Sequence, residues 1–462
     1  MRITALFCLL LATSFAMAED RPPNILLIMA DDLGADCLPV YGNTIYSTPH
    51  LDRLAGEGAV FENAYATPVC SPTRSMIMTG LYPNRTGILE RMDSPADRKN
   101  HNNRLPAHIK TFGHLFKEAG YATAIAGKWH LGHFQRYPDQ PTSHGFDEHC
   151  LWVQFWDDKK RSRYYAPCNW ENSQYVEHSK EVFGPDYYCD FLIDFMERNR
   201  EQPFLAYFPM NLIHGPLITP PGDQTAAEIH FPENLGKNER LNGRMVHYMD
   251  GLVGRLLQTL EDLELSEETI VIFTGDNGTS PNLVSPLGDF HLRGAKRTMN
   301  EAGTRVPFLA KWPGRIPPGE RDALFCLADI LPTLASFADI PLTHDVDGLD
   351  LSHSFYDLPG EDREFIAMAF EGDCYFVRDK RFRLHEDGRL YDAPLTDIES
   401  RYHFEPMTSS EPVANDRARL LRHLEEFMAI QQTDTSYHIV PFGTDGDSYK
   451  NAQQAKAKRE AR

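Results

Sequence analysis

Cys70-Ser71-Pro72-Thr73-Arg74 sets a sulfur side chain and a permanent cation four positions apart at a proline-started helical turn, and Thr79-Gly80-Leu81-Tyr82-Pro83 follows. Two kinds of role fit a cysteine there. It can pack as a small buried hydrophobe, or it can act at a helix N-terminus, where the dipole draws in anions. A phosphatase-type thiolate loop fits less well, because such loops separate cysteine and arginine by more than the three residues found here.

Four other clusters carry chemistry, and each follows an apolar run. Asp31-Asp32 follows residues 24–30, and Gly127-Lys128-Trp129-His130-Leu131-Gly132 follows 121–126. His214-Gly215-Pro216 comes after 204–208, and Gly275-Asp276-Asn277-Gly278 after 269–274. A fifth apolar run occupies 306–310, just beyond Arg293-Gly294-Ala295-Lys296 and Glu301-Ala302-Gly303. Continuous runs of β-branched and aromatic residues, without alternation, predict parallel strands buried on both faces. Helical patterns lie between them, at Thr48-Pro49 with Leu51, Leu54 and Ala55, from Pro72 to near Gly80, and at 111–119, 186–198, 239–263 and 329–337. Strands alternating with helices predict an α/β fold with a doubly wound sheet.

In such sheets ligands bind outside the carboxyl ends of the strands. Taken singly, Asp31-Asp32 reads as a solvated turn or helix cap, Asp276-Asn277-Gly278 as a tight turn, Lys128, His130 and His214 as surface or loop residues, and Lys296 as part of a basic loop. Delivered together to one rim, Asp31, Asp32, Asp276 and Asn277 form an all-oxygen set that suits calcium or magnesium and not zinc. Three clustered carboxylates repel one another unless a cation lies between them.

Together these segments resemble the type I sulfatases over nearly the whole mature chain. The resemblance rests on Asp31-Asp32, Thr48-Pro49 with Leu54-Ala55, the Cys70 to Gly80 run, Gly127 to His130, His214 to Pro216, Gly275 to Gly278 and Arg293-Gly294-x-Lys296. It implies an alkaline-phosphatase-like fold and hydrolysis of a sulfate monoester on a carbohydrate or aryl alcohol. It also implies one bound Ca2+, with Mg2+ the lesser alternative, held by Asp31, Asp32, Asp276 and Asn277. A formylglycine-generating enzyme would convert Cys70 to formylglycine, whose hydrate is the nucleophile and completes the metal shell. By the same resemblance Arg74 steadies the hydrate, Lys128 and Lys296 grip the sulfate, His214 with Lys296 protonates the leaving alcohol, and His130 takes the proton from the second hydroxyl. A thiol has no second acidic hydroxyl to drive that elimination. Two positions depart from the family pattern: Ala302 stands in a usual Glu-Gly-Gly, and His50 where Asn is frequent. A phosphodiesterase or phosphonate monoester hydrolase on the same architecture, and a catalytically silent binding homologue, are the competing readings.

The 462 residues suit one large α/β domain and a smaller one. Residues 1–18 read as a signal peptide ending in Ala16-Met17-Ala18, with export to the periplasm or exterior expected after cleavage. Its apolar run is shorter than the roughly 20 residues a membrane span needs, so no stable membrane insertion is expected. Residues 19–345 read as the catalytic domain. Residues 346–435 read as an α+β subdomain of short antiparallel strands with a terminal helix, and 436–462 as a polar tail. A net charge of −20 disfavours nucleic acid and demands positive charge concentrated in any pocket for an anionic ester. Screening within about 8 Å lets local and total charge differ in sign. Outside the signal and Cys70, Cys37, Cys150, Cys168, Cys189, Cys326 and Cys374 permit disulfides. The stretch from Trp152 to Tyr175, rich in aromatics with Arg161 and Arg163, suits either stacking on a sulfated saccharide or ordinary packing.

Overall fold

The computed structural model describes residues 21–92, 104–222, 231, 235–370, 374–394, 402, 407 and 413–430. The expected signal peptide and polar tail lie outside the described residues. A ten-stranded sheet organises the molecule, in the order Gly319–Cys326, Ala59–Tyr65, Phe308–Lys311, Thr269–Gly275, Asn24–Ala30, Phe204–Pro209, Ala122–Gly127, Glu148–Trp152, Cys168–Glu171 and Gln174–Glu177. The five strands from Thr269–Gly275 to Glu148–Trp152 are mutually parallel, with Asn24–Ala30 at their centre.

Every residue of that central strand is buried, as an apolar run covered on both faces requires. Ile25, Leu27 and Met29 point into one core layer, with Met76–Met78, Phe112, Phe116 and Leu331. Leu26, Ile28 and Ala30 point into the other, with Leu51, Leu192, Met249 and Leu256. Helices Cys70–Thr79, Phe112–Glu118 and Ile330–Phe337 therefore cover one face, and Pro49–Gly56, Gly184–Arg198 and Lys237–Asp262 the other. No helix among the described residues is long and apolar enough to cross a membrane.

The strand expected at 306–310 forms but is not parallel as read: Phe308–Lys311 runs antiparallel to both neighbours in a mostly parallel sheet. After Gly275 the chain stays at the carboxyl rim, making a hairpin of Val284–Leu287 and Phe290–Arg293 and the turn Glu301–Thr304. With no crossover helix to return it to the opposite edge, it enters the sheet from the rim. The Trp152 to Tyr175 stretch builds the far edge of the sheet, where Trp152 and Trp170 are buried. Ordinary packing accounts for most of its aromatics.

Beyond residue 346 four antiparallel strands, Ile366–Phe370, Cys374–Arg378, Phe382–His385 and Leu390–Asp392, carry the helix Ala414–Ala429. Leu420 and Leu424 pack on Val377, Leu384 and Leu390. The sheet joins the main body through a buried ion cluster. Arg383 Nη1 donates to Glu301 Oε1 at 2.7 Å, Arg378 donates to the same oxygen, and Tyr65 Oη donates to Oε2 at 2.8 Å. No disulfide joins any two of the seven described cysteines.

Burial pushes the Glu301 carboxyl up, but the Arg378 and Arg383 charges more than reverse this, so it lies below the ordinary glutamate range. The stability it contributes is fully present above about pH 4.3 and is lost as pH falls through the lower folded value. Arg378→Met, which leaves a buried carboxylate short of a partner, should cost about 3–5 kcal/mol. It should also move acid unfolding to higher pH, as read by thermal denaturation across a pH series.

Candidate active site

The carboxyl ends of four parallel strands and one helix N-terminus meet at a single buried point. Asp31 and Asp32 follow directly from Asn24–Ala30, and their backbone continues the sheet ladder: Asp31 N donates to Leu212 O at 2.7 Å and Ile213 N to Asp31 O at 2.8 Å. Asp276 follows Thr269–Gly275 and its N–H reaches Ala30 O at 2.9 Å. Lys128 follows Ala122–Gly127. Gly127 has φ +124, and a Cβ there would lie 2.1 Å from Pro209 O; only glycine lets Lys128 N donate to that carbonyl, at 2.7 Å. Asp32 and His130 hold left-handed φ of +66 and +59, strain of the kind that collects at functional sites.

Cys70 is the first residue of its helix and is 3% exposed. Its sulfur and carboxylate oxygens of Asp31 and Asp276 lie within 4.8 Å of one another. Carboxylates of Asp31 and Asp32 and the His214 ring form a second such group. Arg74, one turn into the helix, donates to Asp276 Oδ2 from Nε at 3.1 Å and Nη2 at 2.7 Å, and from Nη1 to Lys128 O at 2.7 Å. Lys128 Nζ donates to both Asp31 oxygens, at 2.9 and 2.8 Å. Lys296 donates to Asp32, and its own N–H is held by Thr279 O at 2.9 Å. His214 Nε2 lies 3.7 Å from Asp32 Oδ2 while Nδ1 bonds Gly215 O at 2.7 Å. His130 is half-buried at the same rim, its two ring nitrogens buried and unpaired, and its carbonyl accepts from Ser71 Oγ at 3.0 Å.

All ten residues singled out in the sequence therefore converge. Arg163 joins them from the sheet edge, donating from Nη1 to Asp31 Oδ2 at 2.8 Å. Sequence reasoning leaves Arg163 in a stretch suited either to a sulfated saccharide or to ordinary packing. It lies in the loop ahead of the edge strand Cys168–Glu171, where no local pattern announces its contact with Asp31.

The electrostatics follow from burial opposed by pairing. For Asp31, desolvation is outweighed by Lys128, His214, Arg163 and Arg74, and its carboxyl sits well below the usual range. Asp32 is lowered too, by His214 and Lys296 against desolvation. Asp276 moves the other way, to about 6, because burial and the Asp31 charge exceed the help from Arg74 and Lys128. Burial, with Lys128 and Arg74, holds His130 well below the ordinary imidazole range. Burial takes His214 to about 4 against the pull of Asp32 and Asp31.

The donor set fits a hard divalent cation. Asn277 Nδ2 donates to Asp32 Oδ1 at 3.1 Å and to Gly278 O at 2.9 Å, which turns Oδ1 away as a buried acceptor with no donor. An orphaned amide oxygen beside three carboxylates is the ligand chemistry of calcium or magnesium. A second positive centre would also relieve the like-charge pressure on Asp276.

Fold and site define an α/β protein in which an acidic pocket, fit for a divalent cation, faces a helix N-terminus. The sulfatase family profile matches residues 23–340, and the chain belongs to the sulfatase family. It is 35% identical over 367 residues to N-acetylgalactosamine-6-sulfatase of Canis lupus familiaris, covering 73% of this chain and 66% of that protein. It is 34% identical over 368 residues to arylsulfatase A of Homo sapiens, covering 74% and 70%. The crystal structure of Ps i-CgsB superposes with a TM-score of 0.76 at 23% identity, over 95% of this chain and 99% of that one; this likeness is one of fold.

Calcium added to metal-free protein should raise its melting temperature, by an amount equivalent to about 2.7 kcal/mol at a hundredfold excess over Kd. Asn277→Ala should remove most of that shift in differential scanning fluorimetry.

Proposed function

We propose that this protein is an exported sulfatase that hydrolyses a sulfate monoester on a saccharide, with Cys70 matured to formylglycine and Ca2+ held by Asp31, Asp32, Asp276 and Asn277. The observation that carries the reading is the meeting of Cys70, Asp31 and Asp276 within 4.8 Å, flanked by Arg74 and Lys128. An oxygen at position 70 suits this shell of hard oxygen ligands better than a sulfur does.

Formylglycine supplies a hydrated nucleophile and calcium supplies Lewis-acid charge against the ester oxygens. The chain's own residues do the rest. Arg74 holds Asp276 in a fixed orientation and adds positive charge behind residue 70. Lys128 and Lys296 bind non-bridging sulfate oxygens, where negative charge grows during attack at sulfur. His214 presents Nε2 to the leaving alcohol, oriented by the Nδ1 bond to Gly215, and an anionic ester beside it favours the imidazolium that can donate. His130, neutral and unpaired, is the acceptor for a hydroxyl proton at position 70.

A saccharide substrate is supported by the relatives named for N-acetylgalactosamine 6-sulfate and by aromatic side chains beside the pocket, among them Trp152 and Phe155. Cys70 is buried within a helix, so a formylglycine-generating enzyme must act before that helix packs, consistent with maturation during export of an unfolded chain.

Protein co-produced with a formylglycine-generating enzyme should hydrolyse nitrophenyl sulfate with a higher kcat/KM than nitrophenyl phosphodiesters. The reverse ranking would make it a phosphodiesterase. Cys70→Ala should lose turnover while keeping its melting temperature, and full activity in that variant would overturn the nucleophile assignment. His214→Asn should lower kcat roughly 10²- to 10⁴-fold with esters of poor leaving alcohols, and far less with nitrophenyl sulfate.

A further inference from the structure

Asp31 is supplied with more positive charge than it can use. Lys128 Nζ spans both of its oxygens, Arg74 Nη2 stands 3.9 Å from Oδ1, and Arg163 Nη1 is 2.8 Å from Oδ2. Arg163 is itself a built feature of the rim. It is 9% exposed, and its guanidinium carbon lies 4.4 Å from the centre of the Trp152 ring, whose Nε1 is anchored on Ser162 O at 2.7 Å. Its carbonyl accepts from Asn211 Nδ2 at 3.4 Å. The next residue, Tyr164, donates to Asn211 O at 3.1 Å and to the carbonyl of His214. Arg163 is thus fixed to the loop that carries His214.

One of its three guanidinium nitrogens is spent on Asp31. Nε and Nη2 donate to no acceptor among the described residues, and neither is sealed from solvent. Stacking on Trp152 fixes the plane of that donor fork. The Nη1 bond to Asp31 and the Tyr164 bond to the His214 carbonyl place the guanidinium between the acidic pocket and the loop of His214.

We propose that Arg163 is a substrate-binding residue that donates from its free guanidinium nitrogens to a non-bridging oxygen of the sulfate group, beside Lys128. This rests on the sulfatase reading above. A role confined to neutralising Asp31 would duplicate Lys128 and leave two oriented donors idle. Calcium held at Asp31 would supply that neutralisation in place of Arg163.

The test is isothermal titration of inorganic sulfate into calcium-loaded wild-type protein, Arg163→Met and Arg163→Lys, with melting temperature and calcium affinity measured alongside. Sulfate affinity should fall roughly 10- to 100-fold in Arg163→Met and less in Arg163→Lys. KM for the ester should rise in step, and calcium affinity should be held or tightened. Sulfate bound equally well by wild type and both variants overturns the inference and leaves the sulfatase reading standing. A change confined to melting temperature or calcium affinity does the same, because it marks a purely structural arginine. No sulfate binding by wild type removes the parent reading, and the inference with it. Should Arg163→Met fail to fold, Trp152→Leu carries the test: it unpins the guanidinium without removing its charge. Weaker sulfate binding there supports the assignment and unchanged binding overturns it.

Discussion

Three buried carboxylates forced to one point by the ends of two adjacent strands are the constraint on which the rest depends. Asp31 and Asp32 leave Asn24–Ala30, Asp276 leaves Thr269–Gly275, and the parallel register pairs Ala30 with Gly275. Strand pairing alone therefore brings the acids together, and the surroundings must make their charge tolerable. Arg74, Lys128, Arg163 and Lys296 do so, each from a different segment. Four fixed cations face three carboxylates, a local excess of one positive charge in a chain of net −20. A divalent ion would raise that excess further. The anionic chain and its anionic proposed substrate are reconciled by this local reversal of sign.

The cations are held from a distance. Arg74 is placed by helix Cys70–Thr79, whose αL glycine at Gly80 closes it. Lys296 lies on a rim segment pinned at both ends. Its N–H bonds Thr279 O and that of Arg297 bonds Pro68 O, just ahead of Cys70, while Glu301 is locked by Arg378 and Arg383 from the C-terminal sheet. The small sheet thus reaches the chemistry through one buried carboxylate. Ala302, a departure from the usual family glycine, sits in this segment without disturbing it.

Much of this was legible in the chain. Four of five apolar runs are the parallel strands they predict, because two-sided burial leaves continuous hydrophobic sequence. The site residues were legible because strand ends fix where side chains emerge. Edge strands such as Cys168–Glu171 and Gln174–Glu177 were not, being short and mixed in polarity. The reversed direction of Phe308–Lys311 was also hidden, since direction depends on where the chain re-enters and not on the strand's own residues. Arg163 was hidden for another reason: it lies in a loop, its partner Asp31 is 132 positions away, and no local pattern announces the contact.

The most direct measurement is a crystal structure of matured, calcium-loaded protein. A cation should appear within about 2.3–2.6 Å of oxygens from Asp31, Asp32, Asp276, Asn277 and residue 70 at once. A cation bound elsewhere, or a residue 70 still carrying sulfur and lying outside that shell in active protein, would contradict the proposed site.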